Sequence, residues 1–388
     1  MLTKALPRAG RLVVQQTGPD GFSAFIPNPL PPDPPLEYDD EIKDLIEKAN
    51  RALGRLDGAT YMLPNPDLFL YMYVRKEAVL STQIEGTQAS LADLLEYEGD
   101  VEDDSSSDDI REVSNYVAAM SYGLERIQEL PLSLRLIREI HARLLEGTRG
   151  SYKAPGEFRT SQNWIGGTRP SNARFVPPSA QEVLPCMGAL EKFLHDENNY
   201  TPALIKAGLA HAQFETIHPF LDGNGRVGRL LITFILCHDQ VIEKPLLYLS
   251  LYFKQYRDEY YDRLTAIRRD GDWEGWIKFY LRGIYEISKQ ATTAAKLIMD
   301  LQAKHRILVN SLGKAASTAM RLLELLYQQP FVSVPATEKK LELSAPAARK
   351  AINNLENIGI LKEISGKRRD RLYLYEAYMD IIKEGTEL

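Results

Sequence analysis

The chain has 388 residues, 44% apolar and 26% charged, an ordinary globular composition long enough for two or three domains. Its formal charge of -6 excludes a global basic field for nucleic acid or anionic lipid, so any such contact must be local. Cys186 and Cys237 are far apart and lack metal-ligand spacing, which excludes a disulfide framework or a zinc site and predicts reduced, buried thiols in a cytoplasmic protein.

The start, residues 1–10, carries Lys4, Pro7 and Arg8 instead of an apolar leader, and no later stretch reaches membrane-spanning length. An unsecreted protein with no membrane contact is expected. Residues 27–35 hold six prolines, which predict an extended arm because proline lacks the amide proton and clashes with a preceding turn. From Asp39, Ile42, Leu45, Ile46 and Ala49 share one helical face, and a second helix is predicted over 67–85, stopped by Gly86. Ser90 and Asp93 form a capping pair for a short helix, after which the acidic stretch 96–109 reads as a solvated loop.

Helical spacing recurs over 110–123, 131–146, 180–195 and 202–217. Between them, residues 157–178 place Phe158, Trp164, Ile165, Phe175 and Val176 around Gly166, Gly167 and Pro170, which predicts a short hairpin with a loose turn. More helices are predicted to about Leu312, with no internal repeat. The tail predicts helices over 318–327 and 337–341, then a third capped by Ser344 with Ala348, Ile352 and Leu355 as its apolar stripe. Two strands flanking Ser365, Gly366 and Lys367 complete the order of a winged helix-turn-helix. Arg349, Lys350, Asn353 and Asn354 lie on its open helical face, and Lys367, Arg368, Arg369 and Arg371 in the wing.

The chemistry concentrates in His218-Pro-Phe-Leu-Asp-Gly-Asn-Gly-Arg-Val-Gly-Arg229. Asp222, Gly223, Asn224, Gly225 and Arg226 follow a helix ending near Ile217 and precede the apolar run 230–236. Backbone amides at such a helix N-terminus point outward, and glycine lets the main chain approach a phosphate. Arg226 and Arg229, three apart, share a face and reach neighbouring phosphates. Asp222 offers a hard oxygen suited to Mg²⁺, and His218 is the nearby group with a pKa suited to base work. A glycine pair beside Asn and Asp is by itself more often a plain turn.

The ordered set is more specific: it matches H-x-F-x-D-G-N-G-R-x-x-R and resembles the Fic family over residues 110–287. That resemblance implies a mainly α protein: a Fic-type helical core (110–290) with a β-hairpin flap (157–178) and the motif (218–229). An N-terminal region (1–109) precedes it; a connecting helix (291–312) and a C-terminal winged-helix domain (313–388) follow. It further implies an adenylyltransferase that moves AMP from ATP to a Ser, Thr or Tyr hydroxyl of a protein target and releases pyrophosphate. His218 would deprotonate the hydroxyl, Asp222 would hold Mg²⁺, and Gly223, Asn224, Gly225, Arg226, Val227, Gly228 and Arg229 would receive ATP. Phe220 would be a buried anchor. In the flap, Ile165, Gly166 and Gly167 would cover the nucleotide while the edge pairs with the target's main chain. Tyr260 matches a family tyrosine near the nucleotide and reads equally as a core aromatic.

Ser81-Thr-Gln-Ile-Glu85-Gly86 resembles the family's inhibitory pattern, in which Glu85 would pair with Arg229 and displace the γ-phosphate. Without the motif, Glu85 would read as an exposed helix charge. Two alternatives compete with AMP transfer: transfer of another phosphate-containing group, and a nucleotide-sensing regulator that binds DNA through the tail. His218 favours chemistry, because sensing needs no base. Winged helices dock proteins as readily as DNA. Dimers are common among relatives, so a homodimer is an expectation by resemblance.

Overall fold

The computed structural model describes residues 8–18, 20–61, 66–99, 107–198, 200–368 and 371–387. Lys4, Pro7, the middle of the acidic stretch (100–106) and Arg369 lie outside them. The fold is mainly helical, with a small N-terminal hairpin and a small C-terminal sheet.

The hairpin joins β1 (Gly10–Gln16) to β2 (Phe22–Pro27) and is not predicted from the sequence. Leu12 and Val14 of β1 face solvent, so the one-sided apolar alternation that betrays a strand is missing. After the proline arm come α1 (Asp40–Tyr61), α2 (Pro66–Ile84) and α3 (Leu91–Gly99). Ser90 and Asp93 cap α3 reciprocally, at 2.8 and 3.2 Å. α4 (Asp108–Arg126) starts on the Ser107 hydroxyl, with Asp108 and Asp109 in its first turn. Both described ends of the acidic stretch are therefore helical, a correction: Asp108 and Asp109 gain from the favourable field at the N-terminus of α4, and at the end of α3 Glu98 accepts from Tyr71 (2.8 Å) and Arg75 (2.6 Å).

Next come α5 (Leu134–Leu144), α6 (Ala180–Leu194), α7 (Ala203–Ile217), α8 (Asn224–His238), α9 (Ser250–Gln255) and α10 (Arg257–Asp270). In α7 every residue from Ala207 to Ile217 is buried, and α8 is nearly as enclosed. A helix buried all round, its polar His211, Gln213, Glu215 and Thr216 included, belongs in a core, so the segment between these two is fixed at both ends. The predicted hairpin over 157–178 shrinks to one antiparallel bridge, Ile165 to Phe175, with a 3₁₀ turn at Pro170–Asn172. Proline and adjacent glycines prevent a longer ladder.

α11 (Trp273–Asn310) is one helix of 38 residues, so the expected separate connecting helix is its C-terminal half. Ile284, Ile287, Ala291, Ala295, Ile298, His305 and Val309 continue a single buried stripe without a break. α1 packs along its first half, and α12 (Ala316–Leu326) packs on its second. The remaining elements are β3 (Phe331–Val332), α13 (Val334–Leu341), α14 (Ala345–Asn357), β4 (Lys362–Glu363), β5 (Tyr373–Leu374) and α15 (Glu376–Ile382). β3, too short to show a pattern, joins the predicted pair in the order β3-β5-β4. Ser344 holds the N-cap position of α14, but its side chain makes no capping bond. Both thiols are free; Cys186 is buried, whereas Cys237 is half-buried, against the expectation of two buried residues. No helix among the described residues is long and apolar enough to cross a membrane.

Candidate active site

α7 ends at His218, whose backbone takes the left-handed conformation (φ 50°, ψ 61°) while its N–H still bonds Phe214 O at 2.9 Å. Pro219 cannot continue a helix, so the chain turns here. It restarts as α8 from Gly223, which is also left-handed (φ 73°). Phe220 is fully buried between these turns, its ring stacked 3.7 Å from His141. Asn224 clasps the main chain of Phe220 in both directions: Phe220 N–H donates to its Oδ1 (2.8 Å), and its Nδ2 donates to Phe220 O (2.9 Å). Its side chain shapes the loop, so of its groups only the backbone remains for an anion.

Three residues that show no sequence pattern hold this loop. His141 of α5 accepts from Gly156 N–H at Nδ1 (2.8 Å), so Nε2 carries the proton and donates to Asp222 O (3.0 Å). Burial pushes its pKa down to about 4, keeping this neutral tautomer. Arg159, only 3% exposed, donates to His218 O (2.9 Å), Pro178 O (2.5 Å) and Ser161 O (3.2 Å). A cation among the free carbonyls at the end of α7 also complements that helix's dipole. Asn163 adds a bond to Phe220 O (3.0 Å), so the poorly paired segment 157–178 is still anchored to the loop.

His218, Asp222, Gly223, Asn224, Gly225 and Arg226 line one cleft of about 400 Å³ with Glu85, Gly86, Thr87, Glu112, Arg149 and Leu221. The first turn of α8 opens into it. The Nδ1 atom of His218 is buried, which leaves Nε2 as the nitrogen available to the cleft. Burial pushes the His218 pKa down to about 4, assisted by Arg268 and Arg159 and opposed by Glu85. The imidazole is therefore neutral near pH 7. Asp222 is 44% exposed; its Oδ1 accepts from Gly223 N–H (2.6 Å) and Arg226 Nη2 (3.3 Å). Arg226 also reaches Glu112 (3.5 Å), which accepts from Arg149 (3.0 Å) and from the Thr87 hydroxyl (3.1 Å).

Arg229 is buried beneath the cleft. Its Nε donates to Ser81 Oγ (2.8 Å), and its Nη2 donates to Ser81 O (2.9 Å) and Glu85 Oε1 (2.7 Å). Glu85 lies just past α2, and its carboxylate fills the space where a Cβ on Gly225 would stand. It occupies the anion position above the first turn of α8. Burial alone would raise the Glu85 carboxyl, but the Arg229 guanidinium outweighs it and the pKa is lowered.

The remaining sequence candidates lie elsewhere. Val227 is in the core and Gly228 packs against Glu215 and Phe214. Ile165, Gly166 and Gly167 sit on the outer segment and do not line the cleft. Tyr260 is 1% exposed, its hydroxyl bonded to His211 Nε2 (2.9 Å), so the core reading fits its position. Among the described residues no group of three or more His, Cys, Asp or Glu could hold a metal alone. A lone exposed carboxylate suits Mg²⁺, which commonly combines one or two carboxylates with substrate phosphates.

Fold and site together define a class: a helical protein whose two buried helices present a glycine loop, a neutral histidine and Arg226 at one cleft, with Arg229 buried beneath it. Residues 131–236 match the Fic/DOC family, residues 43–125 match the family's N-terminal region, and the chain belongs to the Fic/DOC family. It is 32% identical over 239 residues to a protein adenylyltransferase Fic from Drosophila grimshawi and 31% identical to that of Drosophila melanogaster. The alignment covers 60% of this chain and 43% and 42% of those proteins, so the chain spans about two fifths of the length of the curated relatives it matches. A crystal structure of a Fic family protein from Desulfovibrio desulfuricans G20 shares the fold, with TM-score 0.57 and 20% identity over 88% of this chain and 97% of that one.

Proposed function

We propose that this chain transfers AMP from ATP to a protein hydroxyl, and that Glu85 restrains the reaction. The observation that carries the first half is that His218, kept neutral by burial, opens into the same cleft as the N-terminus of α8. In the reaction, the hydroxyl oxygen bonds to the α-phosphorus as its proton passes to His218 Nε2. The bond from that phosphorus to the bridging oxygen breaks, and pyrophosphate leaves with the electron pair. Loop amides and Arg226 meet the phosphate charge, a preorganised arrangement that stabilises the transition state more than flexible solvent does. Mg²⁺ would be held by Asp222 and would neutralise phosphate oxygens. Distant relationship to protein adenylyltransferases favours AMP over another phosphate-containing group.

Restraint follows from the engagement of Arg229 with Ser81 and Glu85, since a γ-phosphate seeking that guanidinium must first displace a carboxylate. Incubation with α-labelled and, separately, γ-labelled ATP tests the chemistry. Label retained on protein from the α position alone supports AMP transfer, and retention from the γ position contradicts it.

A second proposal concerns the C-terminal unit. Arg349, Lys350 and Asn353 on α14 are exposed, as are Lys367, Arg368 and Arg371 beside β4 and β5, which supports docking of DNA in the manner of a winged helix. Alanine at Lys367, Arg368 and Arg371 should then flatten the salt dependence of binding. Absence of DNA binding at low salt would leave protein docking.

A further inference from the structure

Glu85 follows directly on α2, so whatever fixes the last turn of that helix decides whether the carboxylate reaches Arg229. That turn is tied to a segment 303 residues away. Gln83 Nε2 donates to Thr386 O (3.0 Å) and to Ala89 O (2.9 Å), and Gln83 Oε1 accepts from Lys254 Nζ (2.7 Å). The same ammonium donates to Glu387 O (2.5 Å) and reaches Gly385 O (3.5 Å). Thr386 is 2% exposed, and its turn closes through Thr386 N–H to Lys383 O (2.8 Å). Gly385, left-handed at φ +80°, sits so close to Leu251 that a Cβ has no room. Further along α2, buried Lys76 lies 4.4 Å over the Tyr248 ring and faces Glu384 and Glu387.

At about 100° per residue, Gln83 points roughly away from the face that carries Ser81. The segment therefore acts on Arg229 only through the helix. We propose that residues 383–387 form a strap that clamps the end of α2 and so holds Glu85 on Arg229, a proposal that rests on reading Glu85 as a restraint. Because the strap leaves directly from α15, displacement of that helix withdraws the carbonyls of Thr386 and Glu387 from Gln83 and Lys254. The C-terminal unit thereby becomes a regulator of the cleft.

Two variants of the full chain test this: Lys254→Ala, which removes the bridging cation, and Gly385→Val, which levers the strap off Leu251 without touching α2. Hydrogen exchange is followed at the amides of Glu85, Gly86 and Thr87, which bond to Thr82 O, Gln83 O and Thr82 O. Exchange there should quicken roughly three- to tenfold, the ratio that loss of about one net hydrogen bond produces. AMP labelling should rise by a similar factor, with no further gain on a Glu85→Gly background. Unchanged exchange in variants that remain folded by circular dichroism overturns the strap. Faster exchange with wild-type labelling, while Glu85→Gly itself is faster, overturns its coupling to the cleft. Faster exchange alongside a Glu85→Gly variant no faster than wild type keeps the strap and removes the restraint reading.

Discussion

At His218 the backbone and the side chain serve different ends: the left-handed turn stops α7, while burial keeps the ring uncharged. Replacing it with alanine should leave ATP binding nearly intact, measured by calorimetry, and slow AMP transfer by about a hundredfold to ten-thousandfold. Near-normal labelling would remove His218 from the mechanism. A base with its pKa lowered to about 4 stays unprotonated through the mildly acidic range, so the acid limb of kcat/KM for ATP should fall well below pH 6.5. A limb at 6.5 or above would mean that burial does not control this group. That His218, Asp222 and Arg226 meet in one cleft was legible because one contiguous motif carries them. Those of Arg159, His141 and Glu112 were not, because each acts through a contact across the fold and belongs to no local pattern.

At the scale of elements, the segment 157–178 shows how a loop with one bridge can be held in place. Its Arg159 gathers carbonyls from α7, from the loop and from the segment's own far end. Arg159→Ala should leave those carbonyls unpaired at about 1–3 kcal/mol each where they remain buried. We expect a lower melting temperature and faster proteolytic cleavage within 157–178, and an unchanged pattern would assign the anchoring to Asn163. Helices were readable where a single apolar face repeats, as in α1 and α11. The β1–β2 hairpin and β3 were not, because strands of two to seven residues with exposed or all-buried faces carry no alternation. For α2 the predicted end at Glu85 was one residue late, and that residue is the one that reaches Arg229.

Across the whole molecule, buried titratable groups oppose one another and set how stability varies with pH. Burial lowers His141 to about 4, His211 to about 3 and His218 to about 4, so below their ordinary 6.5 the unfolded chain binds protons that the folded chain refuses, and stability falls. Burial raises Glu77 and Glu215 to about 7 from 4.5, so between those values the folded chain holds protons that the unfolded chain has lost, and stability falls as pH rises. The melting temperature should therefore fall as pH drops below about 6.5, where Glu85 also loses its ion pair, and change little up to about pH 8, where buried Lys76, pushed down to about 8, offsets the two carboxylates. A flat profile between about pH 5 and 8 would show that these groups are not buried as described. The same carboxylate joins two segments 144 residues apart in one chemical event. The decisive measurement is AMP labelling from α-labelled ATP at saturating MgATP by wild type, Glu85→Gly, Arg229→Ala and the double variant, each checked for folding. Glu85→Gly should be the fastest, by up to roughly a hundredfold if the restraint misaligns the triphosphate, and the double variant should fall back to Arg229→Ala. A folded Glu85→Gly protein no faster than wild type would contradict the account.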